Sequence, residues 1–395
     1  MPLKTIYSIS KNIFSGGTPS TSNDSYWNGH YPWLSSGETS ERYIETTLKT
    51  ITQDGIDNSS TRLAKKNTIV IASAGQGHTR GQTSMLLLDT YINQSIIAIE
   101  ADSEQVNPYF LFYNLSNRYD ELRTLSDGTS SRGSLTTKII GEMTIDLPSI
   151  KKQDAIVHII KTIDKKILCN NRINDNLEAL CQTEYDKLIQ DLGVSDSECT
   201  LSDLGEIVGG GTPSKTVSEY YCESGIPWIT PKDLSDDRSK FISGGNIDLT
   251  EFGLNNSSAK MMPRDSILYT SRAPIGYIAI SKNNICTNQG FKSVVPKEPY
   301  YRSFIYYYLK NNYDLINGVA TGSTFLEVSG SAMKGIPIIK PSKEIAESFE
   351  SYCEPLFKEQ EILEDENRQL MALRDYLLPR LMSGEIDVSN LPLPS

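Results

Sequence analysis

The sequence predicts an α+β protein that consists of two similar α/β domains joined by two long antiparallel helices in a coiled coil. Two observations predict this. Short matches recur at offsets of 193 to 198 residues, and two long stretches carry apolar residues at helical spacing, one after each copy of the repeat. Two copies of one unit imply a pseudo-two-fold molecule in which one long helix pairs with the other.

The internal repeat keeps its matches in one order. Gly17-Thr18-Pro19-Ser20 returns as Gly211-Thr212-Pro213-Ser214, 194 residues later. The other matches, first copy before second, are Pro32-Trp33-Leu34 with Pro227-Trp228-Ile229, Thr68-Ile69 with Ser266-Ile267, Asn93-Gln94 with Asn288-Gln289, Asp127-Gly128-Thr129-Ser130 with Thr321-Gly322-Ser323-Thr324, and Leu147-Pro148-Ser149 with Lys340-Pro341-Ser342. This many matches near one offset indicate a duplication.

A long helix is predicted from Lys151 to Leu192, with no proline to interrupt it. Its apolar residues fall on two neighbouring lines, which contain Ile156, Ile163 and Leu177 on one and Ile160, Ile167, Cys181 and Leu188 on the other. The lines continue through Asn170 and Asn174, so the seam turns polar near its centre. Buried Asn at such positions can fix the register of paired helices.

The partner helix is predicted near the C-terminal end. Five apolar residues are spaced seven apart, namely Phe349, Leu356, Leu363, Leu370 and Leu377. Pro355 lies inside the run, and we expect it to kink the helix or to mark the first turn of its main part. Helices of roughly 40 residues would each be about 60 Å long. The alternative is that each helix packs only on its own globular domain.

These patterns divide the chain into four segments. They are a first globular domain at 1–150, a central helix at 151–195, a second globular domain at 196–342, and a C-terminal helix and tail at 343–395. Strands are predicted within Thr68 to Ser73, Gln94 to Glu100, Ser266 to Tyr269 and Phe291 to Val295, and one short helix per copy at Pro108 to Arg118 and Tyr300 to Asn311.

Composition excludes several classes of protein. The six cysteines form no CxxC pair and the chain has three histidines, which argues against a disulfide framework and a structural zinc site. The first ten residues lack a long apolar segment, and no run of eighteen apolar residues occurs. We therefore expect a cytoplasmic protein without a membrane segment.

The net charge of −11 is unevenly distributed. Residues 1–150 carry 12 basic and 15 acidic groups, and residues 201–340 carry 14 and 13, whereas the last 55 residues carry 5 and 12. Much of the excess acid therefore lies on the predicted second helix. A basic cleft in each near-neutral domain remains compatible with the acidic total.

Two segments resemble enzyme motifs but lack residues that those motifs require. Gly209 to Thr216 nearly spells a phosphate-binding loop, but Ser214 stands in place of its second glycine and the first copy, Gly16 to Thr21, has no lysine. We expect these glycines to serve turns with positive φ.

Asn107-Pro108-Tyr109-Phe110 lacks the second proline of the adenine-binding motif of amino-methyltransferases, and there is no convincing Ser/His/Asp set. We predict a non-catalytic protein that needs no cofactor.

The sequence resembles the specificity (S) subunits of type I restriction-modification enzymes over nearly its whole length. The resemblance rests on the duplication and on motifs in a fixed order: Leu201-Ser202-Asp203-Leu204-Gly205-Glu206-Ile207, Gly210-Gly211-Thr212-Pro213-Ser214, Ile226-Pro227-Trp228-Ile229, Lys232-Asp233-Leu234, Ser271-Arg272-Ala273-Pro274-Ile275-Gly276, Asn288-Gln289-Gly290 and Leu377-Leu378-Pro379-Arg380-Leu381-Met382-Ser383-Gly384-Glu385-Ile386. The first copy departs at Asn12 to Gly16 and at Gly75-Gln76-Gly77.

The resemblance implies a DNA-binding protein without catalytic activity of its own. In that family each globular unit is a target-recognition domain that reads one half of a bipartite, asymmetric site in double-stranded DNA. The two helices set the spacing between the half-sites and dock two DNA adenine methyltransferase subunits, and motor-nuclease subunits add restriction. For this chain the helix positions implied in docking are Ile156, Ile163, Leu177, Leu356, Leu363, Leu370 and Leu377.

Loop residues of suitable chemistry are the candidates for DNA contact. Lys, Ser and Thr suit phosphates, whereas Arg or Lys suits guanine and Asn or Gln suits adenine. The phosphate candidates are Lys11, Thr18, Ser20, Thr212, Ser214, Lys215 and Thr230; the base candidates are Gln76, His78, Arg80, Gln82, Arg132, Lys232, Arg272, Asn288 and Gln289. Arg272 could instead brace its own turn, and we expect Trp33 and Trp228 in the core.

Two other functions remain open on sequence alone. The chain could be the specificity partner of a fused methyltransferase-nuclease, or a coiled-coil scaffold that joins two duplicated protein-binding domains. Salt-dependent DNA binding would argue against the scaffold, because it reflects counterion release from DNA.

Overall fold

The chain forms two compact units in a computed structural model, which describes residues 3–75, 77–127, 133–192, 198–322 and 326–389. The first unit comprises residues 1–166 and 370–395, and the second comprises residues 167–369. Each unit therefore contains one copy of the repeat together with one stretch of each long helix.

The described part of the first unit contains three sheets. A two-stranded sheet pairs Leu3–Thr5 with Thr144–Asp146. The strands of the five-stranded sheet, in spatial order, are Ser10–Ser15, Ile96–Ala101, Ile69–Ala72, Thr83–Leu86 and Tyr43–Ile44, and those of the four-stranded sheet are Lys49–Ile51, Trp27–Leu34, Thr90–Ile92 and Arg62–Ala64.

The described part of the second unit repeats this set. Glu198–Thr200 pairs with Pro337–Ile339. The five-stranded sheet contains, in order, Gly205–Gly209, Lys292–Pro296, Ile267–Ser271, Ile275–Ser281 and Phe241–Ile242, and the four-stranded sheet contains Tyr221–Cys222, Ile247–Leu249, Ile226–Ile229 and Cys286–Thr287. In both units the five-stranded sheet is antiparallel except for its last edge strand, Tyr43–Ile44 or Phe241–Ile242, which pairs in parallel.

Short helices cover the sheets. In the first unit they are Gln53–Asp57, Pro108–Ser116, Tyr119–Asp127 and Thr137–Glu142, with 3-10 turns at Tyr7–Ile9, Asp24–Tyr26 and Ser36–Ser40. In the second unit they are Leu201–Leu204, Pro231–Asp236, Glu251–Asn255, Arg302–Asn311, Tyr313–Gly318 and Gly330–Lys334, with 3-10 turns at Ser218–Tyr220 and Pro299–Tyr301. The helices predicted at Pro108 to Arg118 and Tyr300 to Asn311 are present as Pro108–Ser116 and Arg302–Asn311. The prediction of only one short helix per copy was wrong, because each unit contains further short helices.

The alternation of side chains along each strand fills two cores. Ile69 and Ile71 belong to the cluster that includes the helix Pro108–Ser116 and Ile156 of the central helix. Val70, between them, belongs to the cluster that includes Leu34 and Ile92 of the four-stranded sheet. The five-stranded sheet is thus covered on both faces, since successive side chains point to opposite sides. Each fully buried Ile contributes about 2 kcal/mol of transfer free energy.

The two long helices are present as Ile150–Asp191 and Lys343–Ser383. In the second unit Asn170 meets Asn367, and Asn174 meets Gln360, so the two helices run antiparallel there. In the first unit Arg374 meets Asp164. Pro355 lies inside the C-terminal helix on an exposed face, where water can satisfy the carbonyl left without a partner.

The predicted polar point in the seam is a hydrogen-bonded network. Asn170, which is fully buried, donates from Nδ2 to Asn367 Oδ1 (2.9 Å) and to Glu366 Oε2 (2.8 Å). Asn367 donates in turn to Asn171 Oδ1 (2.7 Å). Because a shifted pairing would leave these amides buried without partners, the network favours one register.

The glycines of the segments Gly16 to Thr21 and Gly209 to Thr216 serve a different purpose from the one predicted. Gly16 and Gly210, both described, do not have positive φ. A Cβ at Gly16 would lie 1.9 Å from the Ile92 carbonyl oxygen, and a Cβ at Gly210 would lie 1.8 Å from that of Asn288. The glycines are required because two backbone segments approach closely at these points.

Candidate nucleic-acid interface

A cleft of about 1180 Å³ opens on the second domain. Its walls come from the segment after Gly205–Gly209, the start of the helix Pro231–Asp236, the turn that follows Ile267–Ser271, the segment after Cys286–Thr287, and the helix Tyr313–Gly318. Seven of the eight residues predicted to contact DNA in this domain line it: Thr212, Lys215, Thr230, Lys232, Arg272, Asn288 and Gln289. Ser214, the eighth, is exposed beside Lys215 and shares a hydrogen bond with Thr216 (2.8 Å).

The charge of the cleft is opposite to that of the chain. Among the described residues that line it, Lys215, Lys232 and Arg272 are cationic and none is Asp or Glu. The chain as a whole has a net charge of −11. Lys232 and Arg272 pair with Asp236 and Glu327, which lie outside the lining, so their charge is partly compensated. The cations that line the cleft can still attract a polyanion despite the acidic total.

A buried tryptophan fixes the segment that carries Thr212 and Lys215. Trp228 is 4 % exposed, and its Nε1 donates to the Gly211 carbonyl oxygen (3.0 Å). In the first unit Trp33, which is 5 % exposed, donates in the same way to Gly17 (3.3 Å). Both indoles thus lie in the core, as predicted, and each anchors one copy of the Gly-Thr-Pro-Ser segment.

Thr230 and Lys232 are fixed by carboxylates of their own helix. Thr230 caps it, because its backbone N–H and its hydroxyl both donate to Asp233 Oδ2 (2.7 and 2.6 Å). Lys232 donates to Asp236 Oδ2 (2.6 Å), and this hydrogen bond raises the pKa of the Lys232 ammonium. Lys232 is largely exposed, so its charge remains within reach of a ligand.

Arg272 projects from the turn between two strands of the five-stranded sheet. Its Nη1 donates to Glu327 Oε2 (3.3 Å), and Lys292 Nζ donates to Glu327 Oε1 (3.0 Å). The side chains of Arg272 and Glu327 are each 35 % exposed. Arg272 is therefore braced by a carboxylate from another segment while part of its guanidinium still faces the cleft.

The adjacent amide side chains of Asn288 and Gln289 have different surroundings. Asn288 Oδ1 accepts the backbone N–H of Gly290 (2.8 Å), as Asn93 Oδ1 accepts that of Ser95 (3.0 Å). These local bonds shape the same turn in each copy. Gln289 is exposed at the cleft.

The first domain brings together fewer of the predicted residues. Thr18 Oγ1 donates to Gln94 Oε1 (2.5 Å). Ser20, which follows Thr18 by two residues, is exposed. Lys11 lies near the opposite end of the strand Ser10–Ser15. At about 3.3 Å per residue the strand spans about 13 Å from residue 11 to residue 15, and Thr18 follows its far end.

The glycine-rich turn of the first domain holds the remaining candidates. His78 is exposed and Gln82 is half-buried, whereas Arg80 is 8 % exposed, pairs with Asp127 and approaches Gly133 closely. Arg80 is thus part of the packing that supports the turn. Gln76 and Arg132 lie outside the described residues.

Several residues at the candidate sites of the two domains were not predicted from the sequence. Tyr313 and Asn317 line the cleft from one short helix, and Ile247 lines it from the four-stranded sheet. Lys49 occupies the place of Ile247 in the first domain, because Lys49 pairs with Trp33 as Ile247 pairs with Trp228. The strand register that reveals Lys49 is not visible in the sequence, since the repeat is weak there.

The helix positions implied in docking divide by burial. Ile156, Ile163 and Leu363 are buried, with 2, 8 and 5 % exposure. Leu177, Leu356, Leu370 and Leu377 are half-buried. More exposed apolar side chains lie elsewhere on these helices: Ile173, Leu180, Ile189, Ile345, Tyr352, Ile362, Met371, Leu373 and Tyr376.

Within the described ranges, no helix combines the length and apolar character needed to cross a membrane. The same residues contain no group of three or more His, Cys, Asp or Glu placed to hold a metal ion.

Comparison with known proteins identifies the class that this duplicated fold represents. Residues 5–179 and 196–371 each match the family of the type I restriction modification DNA specificity domain. The chain belongs to that family. The resemblance to specificity subunits inferred from the sequence is therefore confirmed.

Individual relatives agree with the family. The chain is 38 % identical over 192 residues to the type I restriction enzyme MjaIX specificity subunit of Methanocaldococcus jannaschii, a match that covers 46 % of this chain and 43 % of that protein, so less than half of that relative's length. It is 26 % identical over 379 residues to the HindI specificity subunit of Haemophilus influenzae, covering 76 % of this chain and 82 % of that protein.

A solved structure shares the fold. The crystal structure of the type I restriction-modification S subunit from M. genitalium superimposes with a TM-score of 0.60 and 16 % sequence identity, covering 96 % of this chain and 95 % of that one. The predicted fold class, two similar α/β domains with two long helices, is confirmed.

Proposed function

We propose that the chain is the DNA-specificity subunit of a type I restriction-modification complex and that each domain reads one half of a bipartite, asymmetric site in double-stranded DNA. The chain itself would catalyse nothing. It would act with two DNA adenine methyltransferase subunits and with motor-nuclease subunits, in the cytoplasm.

The cleft of the second domain is the observation that carries this proposal. It combines three cations, which suit phosphates, with the amides of Asn288 and Gln289 and the guanidinium of Arg272, which suit base edges. The two family matches extend the interpretation to the first domain.

Different side chains at equivalent positions support two unlike half-sites. Lys49 stands where the second domain has Ile247, and the first domain has Gly75-Gln76-Gly77 where the second has the turn that contains Arg272. Two recognition domains that differ in this way need not recognise a palindromic DNA sequence.

The long helices suit a spacer and a docking surface. Helices of 42 and 41 residues would each be about 60 Å long, which exceeds one turn of B-DNA at roughly 34 to 36 Å. Their exposed apolar side chains, Leu180 and Ile362 among them at 49 and 52 % exposure, would be covered by the methyltransferase subunits.

The test is adenine-methylation mapping by long-read sequencing. Cells that carry this gene with its neighbouring methyltransferase are compared with a strain that lacks this gene alone. We expect the wild type to methylate a motif of two unlike halves around a fixed gap, and the deletion to lose it. Unchanged methylation, with the methyltransferase shown to be active, would favour the scaffold function instead.

A further inference from the structure

One carboxylate in the second domain joins two loops of the chain. Asp233 is 6 % exposed. Its Oδ2 accepts from the backbone and the hydroxyl of Thr230 (2.7 and 2.6 Å), and its Oδ1 accepts from the backbone and the amide of Asn246 (2.9 and 2.7 Å). The segments around residues 230 and 246 are thereby tied together by four hydrogen bonds to one side chain.

In the first domain a carboxylate joins two segments of the chain at the equivalent place. Glu38 Oε1 accepts from the backbone and the hydroxyl of Ser35 (3.0 and 2.9 Å), and its Oε2 accepts from the backbone N–H of Leu48 (2.8 Å). Ser35 and Thr230 both directly follow the strand that carries the anchoring tryptophan. The two copies therefore keep this link although the carboxylates differ in length.

The loops that Asp233 joins form one wall of the cleft. Thr230 and Lys232 come from the first loop, and Ile247 directly follows the second. Asp233 itself does not line the cleft. Any effect that it has on a ligand must pass through the residues that it holds in place.

We propose that Asp233 and Glu38 are positioning residues that set the base specificity of their own domains by fixing these two loops relative to each other. This inference rests on the proposed function of DNA recognition. Hydrogen bonds to base edges are directional, and sites of this kind tolerate displacements of only about 0.5 Å. Loosening one link should therefore relax recognition in one half-site and leave the other unchanged.

Asp203 provides a matched control in the second domain. It forms the same cap, since its Oδ2 accepts from the backbone and the hydroxyl of Thr200 (2.7 and 2.9 Å). Asp203 lies in the helix Leu201–Leu204, which does not line the cleft. Its loss removes the same cap without loosening the cleft wall, although Asp203 is exposed and lacks the two bonds that Asp233 makes to Asn246.

The experiment compares Asp233→Asn, Glu38→Gln and Asp203→Asn with the wild type in the complex assembled with its methyltransferase. Methylation rates are measured on the target duplex and on duplexes with single base changes in either half. We expect Asp233→Asn to lower discrimination about tenfold at one or more positions of one half, Glu38→Gln to do so in the other half, and Asp203→Asn to leave both halves unchanged.

The possible outcomes separate this inference from the proposed function. Unaltered discrimination in both halves by Asp233→Asn and Glu38→Gln would overturn the positioning role, provided that the wild type discriminates. Absence of half-site discrimination in the wild type would overturn the proposed function. If Asp233→Asn does not fold, Thr230→Val and Asn246→Ala each remove one donor, and unaltered discrimination by both would also overturn the inference.

Discussion

Trp228 donates its indole hydrogen to the carbonyl oxygen of Gly211, and this bond ties the strand that leads to Thr230 to the segment that carries Lys215. Trp33 and Gly17 form the same bond in the first unit. The repeat thus preserves a scaffold that places two loops side by side. The side chains presented on this scaffold differ between the copies, which suits one fold that recognises two ligand sequences.

Replacing Arg272 by Ala should relax recognition at one base pair. If Arg272 donates to a base in the major groove, its loss should weaken specific binding by about 1 to 3 kcal/mol. The change leaves Glu327 paired with Lys292, so it does not create an isolated carboxylate. Binding to duplexes with single base substitutions, measured at one salt concentration, checks the result.

Lys215→Ala is the comparison for Arg272. Lys215 is an exposed cation at the edge of the same cleft, and a phosphate contact carries no sequence information. We expect uniformly weaker binding to all duplexes and a salt slope reduced by about one. The same uniform pattern from Arg272→Ala would show that Arg272 contacts phosphate.

Seven of the eighteen described residues that line the cleft of the second domain could be predicted from the sequence, because loops and motifs coincide there. Thr212, Arg272 and Asn288 lie in short segments bounded by glycine or proline, and side-chain chemistry indicated their roles. The polar point at Asn170 was equally visible, since it interrupts a regular apolar pattern. Tyr313 and Ile247 were missed because strand and helix packing brings them to the cleft from segments with no such motif.

The first domain shows why residue type alone is insufficient. Arg80 and Arg272 both follow a strand of the five-stranded sheet, but Arg80 is buried against Asp127 and Gly133, whereas Arg272 is held at the surface by Glu327. Burial of this kind depends on contacts between residues about 50 apart in the sequence. No local sequence pattern around Arg80 indicates whether its side chain is buried or exposed.

Asp164→Ala should strongly destabilise the first unit. Asp164 is 2 % exposed, accepts from Arg42 Nε (3.2 Å) and Arg374 Nη1 (3.3 Å), and accepts from the Tyr43 hydroxyl (2.5 Å). Removing one member of a buried ion pair costs about 3 to 5 kcal/mol; here Arg42 loses its carboxylate, and Arg374 keeps, among the described residues, only the exposed Asp375. Urea denaturation measures the change in the free energy of unfolding.

The matched variant for Asp164 is Asp375→Ala. Asp375 also pairs with Arg374 (2.9 Å), but its side chain is 65 % exposed. An exposed pair contributes at most about 1 kcal/mol. Equal losses from the two variants would show that burial of Asp164 does not determine its contribution.

Glu364 should make the second unit less stable as the pH rises. Burial raises the pKa of this carboxyl to about 7, although the backbone N–H groups of Lys240 and Phe241 and the charge of Arg368 oppose the shift. A raised pKa means that the folded state binds the proton more tightly than the unfolded state does. The resulting stabilisation is fully present below the ordinary pKa of 4.5 and is lost as the pH passes through 7.

Thermal melting between pH 5 and pH 8 tests this contribution. Wild type should lose on the order of 2 kcal/mol more over this range than Glu364→Gln, whose side chain does not titrate. Glu359→Gln, an exposed position on the same helix, should follow the wild-type curve. If Glu364→Gln keeps the full pH dependence, another group is responsible.

Leu363 and Ile362 allow the stability of the helix pair to be separated from the docking of a partner. Leu363 is 5 % exposed and Ile362 is 52 % exposed. Leu363→Asp places a charge in an apolar seam and should lower the melting temperature by about 10 °C, whereas Ile362→Asp should change it by about 2 °C or less. If the exposed face docks the methyltransferase, Ile362→Asp should nevertheless weaken binding to that subunit. Normal melting and retained methyltransferase binding by Leu363→Asp would contradict the assignment of this seam, and retained binding by Ile362→Asp would place the docking surface on another face.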